Sequence, residues 1–137
     1  MPSCKITMNS TFEDVDKTVE QVLVFVNKRC GISDHHIEFI TNFVLRELLN
    51  NAVEHGNGLT EEKKVTCEVS YVDKMLHLDI ADEGSGFDIR EILERQSQEA
   101  IDGTRGRGIE MIRRIGFVLD SAGNHITAHL NMDSMKK

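Results

Sequence analysis

The sequence predicts an α+β fold, a two-layer sandwich in which one mixed β-sheet carries its helices on one face. Two long segments near the start of the chain have apolar residues at the three- and four-residue spacing of helices. Two later segments alternate apolar and polar residues, as half-buried strands do. The elements are therefore grouped by type, and the 137 residues are expected to form a single domain over 1–137.

The first predicted elements are a strand and a long helix. The strand covers Cys4 to Asn9, and the helix covers Phe12 to about Arg29, with Ser10 or Thr11 as its cap. The apolar residues at helical spacing are Val15, Val19, Val22, Leu23 and Val26. The continuous apolar run over 22–26 leaves a short strand as the competing interpretation, and the length of the periodic segment favours the helix.

A second helix is predicted directly afterwards. Gly31 could end the first helix, and Ser33 or Asp34 could cap the second. Its apolar residues are Ile37, Ile40, Val44, Leu48 and Ala52. This helix is expected to end near His55, because the following Gly-Asn-Gly at 56–58 favours a turn.

A hairpin of two strands comes next. Residues 65–71 and 76–80 alternate apolar and polar side chains, and Val72-Asp73-Lys74 between them is typical of a hairpin turn. The second of these strands runs directly into the sequence Asp82-Glu83-Gly84-Ser85-Gly86. A glycine-rich loop is therefore expected at the end of a strand.

The last third of the chain is predicted to return to the sheet. Residues 88–104 are polar, with a short helix expected around Ile89 to Arg95. Gly106 begins a further helix that reaches Ile115. Two closing strands are predicted over Phe117 to Asp120 and His125 to Asn131.

Composition narrows the classes of function. The chain has 16 basic and 23 acidic residues and a formal charge of −7, which argues against nonspecific nucleic-acid binding. No apolar stretch approaches the roughly 18 residues of a membrane span, and the start lacks the pattern of a signal peptide. The three cysteines are isolated and are expected to be free thiols, so the predicted location is the cytoplasm.

The first candidate site lies on the second helix. At about 100° per residue, one side of this helix carries Glu47, Asn51, Glu54 and His55. An asparagine oxygen is a suitable hard ligand for Mg²⁺, and a glutamate beside it can activate a hydroxyl or water for attack on phosphorus. A solvated helical face is the alternative interpretation of the same residues.

The second candidate site is the loop from Asp82 to Gly86. Closely spaced glycines let the backbone turn sharply and approach a ligand. An aspartate at a strand end can accept a hydrogen bond from an exocyclic amine such as that of adenine. An ordinary glycine turn remains the alternative.

The third candidate site is Arg105-Gly106-Arg107-Gly108. Glycines at the start of a helix leave backbone N–H groups facing an anion, and the helix dipole favours negative charge there. Arg105 and Arg107 add positive charge for phosphate. A flexible loop with a glycine hinge is the alternative.

In this order and spacing the three motifs resemble those of the GHKL (histidine-kinase-like) ATPase superfamily. In that superfamily an Asn-bearing helix, a DxGxG loop and a later GxG loop surround ATP. The single-domain build and the helix ending Glu54-His55-Gly56-Asn57 most resemble the bacterial anti-sigma-factor serine kinases. The resemblance covers residues 6–131 and implies a two-layer Bergerat-type sandwich that binds ATP and Mg²⁺.

The resemblance also implies a role for each matching residue. Asn51 would coordinate Mg²⁺, Glu47 would be the base that activates the acceptor hydroxyl, and Asp82 would contact the adenine amine. Residues 88–104 would form the lid over ATP. The other implied nucleotide contacts are Gly84, Gly86, Arg105, Gly106 and Gly108.

One departure from the family pattern concerns the adenine. The family often has a threonine just before the last strand, whereas here Gly123 is followed by Asn124 and the nearest threonine is Thr127. Asn124 could make a similar polar contact, or Thr127 could do so after a change of register. Both residues are therefore candidate cofactor contacts.

The resemblance implies a serine/threonine-protein kinase that phosphorylates a STAS-domain antagonist of the anti-anti-sigma type. It also implies that the domain holds a sigma factor, often as a homodimer. Two other functions stay open. One is a binding module in which ATP sets the shape of the lid, and the other is a slow ATPase in which water replaces the serine.

Overall fold

The computed structural model describes residues 2–84 and 108–132. The elements in chain order are β1 (Ser3–Asn9), α1 (Phe12–Lys28), α2 (His35–Asn51), a π-helical turn (Ala52–Gly56), β2 (Lys64–Val72), β3 (Met75–Ala81), α3 (Gly108–Ile115), β4 (Val118–Ala122) and β5 (His125–Asn131). Within these residues the predicted order of elements is confirmed. The helix expected around Ile89 to Arg95 and the predicted lid lie outside the described residues.

The five strands form one sheet in the order β1-β2-β3-β5-β4. Every pairing among these strands is antiparallel, so the α+β sandwich is confirmed but the expected mixed character of the sheet is not. Two short hairpins, β2–β3 and β4–β5, require opposite strand directions. The longer connections place β2 beside β1 and β5 beside β3, and these two pairs are antiparallel as well.

Backbone conformation explains both hairpins. Asp73 and Lys74 have positive φ angles of 49° and 65°, the pattern of a type I′ turn, whose twist matches that of the flanking strands. In the β4–β5 hairpin, Ala122 pairs with His125, and Gly123 has a φ of 60°. That turn leaves Asn124 at the end of the sheet where β3 also ends.

The core lies between the sheet and the helices. Alternate residues of β3 and β5 turn toward the helical layer, where Leu76, Leu78, Ile80, Ile126, Ala128 and Leu130 are buried. The facing residues of α2 are Ile37, Ile40, Val44, Leu45, Leu48 and Leu49. Each of these leucine, isoleucine and valine side chains contributes about 1.5–3 kcal/mol on full burial, so the core fixes α2 against the sheet.

The starts of both long helices are capped by side chains. The Thr11 hydroxyl accepts a hydrogen bond from the Asp14 N–H at 3.1 Å, and the Asp34 carboxylate accepts one from the His36 N–H at 2.8 Å. Of the two caps predicted for each helix, these are the ones used. Helix α1 buries residues at helical spacing throughout, which excludes the competing strand over 22–26. None of the described helices has the length and apolarity needed to cross a membrane.

Candidate functional site

Three parts of the fold meet at one end of the sheet. These are the π-helical turn after α2, the segment that leaves β3, and the turn between β4 and β5. The Asp82 N–H donates a hydrogen bond to the Asn124 carbonyl at 3.0 Å, and the Asn124 side-chain amide donates to the Asp82 carbonyl at 2.5 Å. The end of β3 is therefore tied to the β4–β5 turn.

Asp82 continues the inward alternation of β3 and is buried, with 4% of its surface exposed. Its Oδ1 accepts a hydrogen bond from the Gly84 N–H at 2.8 Å. Burial raises the pKa of this carboxyl, while the Gly84 N–H, His125 and Lys63 act in the opposite direction. The second oxygen, Oδ2, is left as the acceptor that a ligand's N–H group would meet.

Two glycines allow the helix end to lie directly on this segment. A Cβ on Gly84 would overlap the carbonyl oxygen of Gly56, and a Cβ on Gly56 would overlap the carboxylate of Asp82. A larger residue at position 84 would force the two backbones apart, and one at position 56 would displace the Asp82 side chain. The sequence identified Gly84 from its motif but treated Gly56 only as the end of a helix.

Asn51 is the last residue of α2, and only 7% of its surface is exposed. Its Nδ2 is one of two buried side-chain polar atoms in the described residues that have no hydrogen-bond partner, and the other is the Thr41 Oγ1. An unpartnered buried amide costs about 1–3 kcal/mol. Such a donor requires an explanation, and at Asn51 an acceptor on a bound ligand or water would supply one.

Glu47 lies one helical turn before Asn51 and is half-buried. Residues four apart on an α-helix project to the same side, about 5–6 Å apart at their Cβ atoms. Glu54 and His55, which the sequence pattern placed on the same side, lie in the π-helical turn. The wider spacing of a π-turn rotates these two residues relative to the α-helical pattern.

Asn124 and Thr127, the two alternatives for the adenine contact, lie on different parts of β5 and its turn. Thr127 pairs with Asp79 and belongs to the face of the sheet opposite the helices. Asp82 belongs to the helical side, since it follows the buried Leu78 and Ile80 in alternation. The structure therefore brings Asn124, and not Thr127, to Asp82.

Of the third motif, Arg105-Gly106-Arg107-Gly108, the structure describes only Gly108. Gly108 is the first residue of α3, which packs against α2, and Ile112 anchors this helix in the core. Gly86, Arg105 and Gly106 lie outside the described residues. Their predicted contacts with phosphate remain predictions.

A buried residue that sequence reasoning left without a role is Asn57, with 2% of its surface exposed. Its Oδ1 accepts a hydrogen bond from the Glu83 N–H at 2.8 Å, and its Nδ2 donates to the Ser10 Oγ at 2.8 Å and to the Lys64 carbonyl at 3.0 Å. In the sequence Asn57 belongs to the helix ending that resembles the anti-sigma-factor kinases, but its place between two glycines favours a simple turn and gives it no role.

The assembled site offers two kinds of contact. The carboxylate of Asp82 can accept a hydrogen bond from an amine in a largely buried position. The amide of Asn51 can supply an oxygen to a hard cation, with a second carboxylate, that of Glu47, one turn away. This combination suits a ligand that has an amine at one end and a metal-bound anion at the other.

Comparison with known proteins agrees with this geometry. Residues 8–128 match the family model of the histidine kinase-like ATPase domain. No curated protein matches the chain. The matched region contains Glu47, Asn51 and Asp82 and most of every described element except β1. The chain therefore belongs to the family of histidine kinase-like ATPase domains, and its ligand is ATP.

Proposed function

We propose that this ATP-binding domain is a serine protein kinase of a partner-switching pathway. It would transfer the γ-phosphoryl group of ATP to a serine of a STAS-domain antagonist. The observation that carries the proposal is the pair formed by Glu47 and Asn51 at the end of α2. A module that only senses nucleotide needs no carboxylate beside its metal ligand, whereas a kinase needs a base there.

The residues present are suited to Mg²⁺. An amide oxygen is a hard ligand, and Mg²⁺ usually takes its remaining ligands from water and from phosphate. The Asn51 amide is buried, and its Oδ1 is the atom that would face the metal. Its Nδ2, which has no partner within residues 2–84 and 108–132, is a donor that suits a water or phosphate oxygen. When bound, Mg²⁺ neutralises charge on the phosphates.

The chain's own residues would then perform the transfer. The Glu47 carboxylate accepts the proton of the serine hydroxyl as its oxygen attacks the γ-phosphorus. The bond from that phosphorus to the β,γ-bridging oxygen breaks, and ADP leaves with the bonding electrons. Asp82 holds the adenine amine, so the two ends of the nucleotide are fixed while the transfer occurs.

The proposed partners follow from the resemblance. A STAS-domain protein is the substrate, and a sigma factor is the regulated protein, held by a homodimer of this domain in the cytoplasm. The net charge of −7 favours protein partners over nucleic acid.

The test separates the two side chains. Phosphoryl transfer from labelled Mg-ATP would be measured on STAS-domain proteins from the same genome. Glu47→Gln should still bind Mg-ATP in a thermal-shift assay and should transfer about 10²–10⁴-fold more slowly. Asn51→Ala should lose the Mg²⁺-dependent part of nucleotide binding.

The other outcomes distinguish the alternatives. Phosphate release without any protein acceptor, lost in Glu47→Gln, would indicate a slow ATPase. Nucleotide-dependent partner binding that is unchanged in Glu47→Gln, without transfer by the wild type, would indicate an ATP-gated binding module. Equal behaviour of the Glu47→Gln and Asn51→Ala variants would contradict the assigned division of roles.

A further inference from the structure

Asn57 connects parts of the chain that are far apart in sequence. It follows the π-helical turn, and its own N–H donates to the Ala52 carbonyl at 2.8 Å. Its side chain reaches the start of α1 through Ser10, the start of β2 through Lys64, and the segment after β3 through Glu83. A buried amide that joins four segments determines how they lie relative to one another.

The orientation of the Asn57 amide follows from its neighbours. The Glu83 N–H can only donate, so the atom that faces it is the amide oxygen. The Lys64 carbonyl can only accept, so the atom that faces it is the amide nitrogen. Both N–H groups of the nitrogen are used, the second toward Ser10. No other neutral side chain of this size offers the same set of donors and acceptor.

The bond to Glu83 acts on the peptide group that directly follows Asp82. The carbonyl of that peptide is held by the Asn124 amide at 2.5 Å, and its N–H is held by the Asn57 amide at 2.8 Å. Rotation of this peptide group would break one of the two bonds. Close contact between Gly56 and Gly84 leaves little space for the segment to move toward α2.

We propose that Asn57 is a positioning residue that sets the specificity of the site for adenine. It fixes the peptide after Asp82, and that peptide fixes the direction of the Asp82 carboxylate toward an exocyclic amine. The proposal rests on ATP binding at this site and on the adenine contact assigned to Asp82. Asn57 itself touches neither the nucleotide nor the reacting atoms.

The experiment measures discrimination between ATP and inosine triphosphate, in which a carbonyl replaces the adenine amine. The wild type should bind ATP at least about tenfold more tightly, because the analogue sets an oxygen against a carboxylate. In Asn57→Ala this ratio should fall roughly fivefold or more. Partial unfolding weakens both affinities by the same factor, so the ratio is insensitive to loss of stability.

Ser10→Ala is the matched control. It removes one hydrogen bond of the same buried network, as well as the bond from the Ser10 hydroxyl to the Lys63 carbonyl. It leaves the Asn57 oxygen on the Glu83 N–H. The proposal expects this variant to be less stable but to keep the wild-type ratio. An equal loss of discrimination in Ser10→Ala would overturn the proposal, because specificity would then depend on the whole buried network and not on the bond from Asn57 to Glu83.

Asn57→Asp provides a second variant, and hydrogen exchange provides a second measurement. The aspartate keeps an acceptor for the Glu83 N–H but loses both donors, so its nucleotide ratio should remain close to that of the wild type.

In the ligand-free protein the Glu83 amide should exchange faster in Asn57→Ala than in Ser10→Ala. A wild type that binds neither nucleotide would overturn the ATP site itself. If the wild type binds ATP more tightly than inosine triphosphate and Asn57→Ala keeps the same ratio of affinities, only the proposed role of Asn57 is overturned.

Discussion

The two ends of the sheet turn the chain in different ways. At the end opposite the site, Asp73 and Lys74 make the β2–β3 turn through their own positive φ angles, and Gly31 does the same between the helices. At the site end, the chain is held by side-chain amides, with Asn57 bonded to Glu83 and Asn124 bonded to Asp82. The turns at one end are made by the conformation of their own residues, whereas the chain at the site end is held by hydrogen bonds between residues 26 and 42 positions apart in the sequence.

The difference also appears in what is buried. Four of the six buried polar residues among those described lie in or beside the site, namely Ser10, Asn51, Asn57 and Asp82. For two of these four the cost of burial is only partly compensated. The Nδ2 of Asn51 has no hydrogen-bond partner among the described residues, and burial raises the pKa of the Asp82 carboxyl. Burial of this kind costs stability. The site end therefore gives up stability that a bound ligand can restore.

The largest expected effect comes from placing a methyl group where the two backbones meet at the site. Gly84→Ala would overlap the Gly56 carbonyl, so the segment must move away from α2. We expect the free energy of unfolding to fall by about 1–3 kcal/mol and ATP affinity to fall by roughly a hundredfold. Chemical denaturation and nucleotide titration would measure the two quantities.

Gly31→Ala is the comparison at the other end. No atom lies within 4 Å of a Cβ at Gly31, and only its φ of 70° opposes the change. This variant should lose about 1 kcal/mol and keep its ATP affinity. If Gly84→Ala behaves like Gly31→Ala in both measurements, the close contact between helix end and loop is not required.

The second effect concerns Asp82→Asn. Oδ1 of the new side chain can still accept from the Gly84 N–H, which leaves Nδ2 to face the adenine amine as a second donor. ATP affinity should fall about tenfold or more. The same substitution at Asp79, which lies on the opposite face of the sheet and bonds His125 at 3.0 Å, should leave affinity unchanged.

Asp82→Asn should also change the pH dependence of stability. The folded state raises the pKa of Asp82 above its ordinary value of 3.8, so it binds this proton more tightly than the unfolded state does. The contribution of the carboxyl to stability is therefore greatest below pH 3.8 and is lost as pH rises through the raised pKa. Unfolding free energies of wild type and variant should diverge over that window in favour of the variant. A constant difference would contradict the burial argument.

Local patterns predicted most of the fold. The apolar spacing of α1 and α2 and the alternation of β2, β3 and β5 follow from which face meets the core, and a sequence shows that directly. The direction of neighbouring strands does not follow in the same way. It depends on how the chain returns after each helix, and the expected mixed sheet was wrong for that reason.

The site was predictable only in part. Glu47, Asn51 and Asp82 were singled out because their residue types and spacing suggest a chemistry, and their roles remain predictions. The contact of Gly56 with Gly84 and the bonds of Asn57 join positions that no local pattern connects. The π-helical turn was also missed, since Ala52 to His55 continues the α-helical pattern and nothing in these residues indicates the wider spacing.

The third prediction is a variant that is more stable without nucleotide but is no longer stabilised by Mg-ATP. Asn51→Leu removes the buried Nδ2 that has no partner and should raise the free energy of unfolding by about 1 kcal/mol without nucleotide. Thr41→Val removes the other such atom, the Oγ1 of a fully buried residue in the same helix. Both variants should be more stable, but only Asn51→Leu should lose stabilisation by Mg-ATP. Loss of that stabilisation in Thr41→Val would show that α2 acts on the site as a whole.

The smallest effect tests the locally specified end. Lys74 has a φ of 65°, which glycine adopts without the penalty of a Cβ. Lys74→Ala removes the same long side chain but keeps the Cβ, so the difference between the two variants isolates the backbone term. We expect Lys74→Gly to be more stable than Lys74→Ala by about 1 kcal/mol, with the Met132 N–H still bonded to the carbonyl of residue 74 in both. Their ATP affinities should be equal, because this turn lies at the end of the sheet opposite the site. Unequal affinities would mean that the two ends of the sheet are coupled, most directly through β3, which runs from this turn to Asp82.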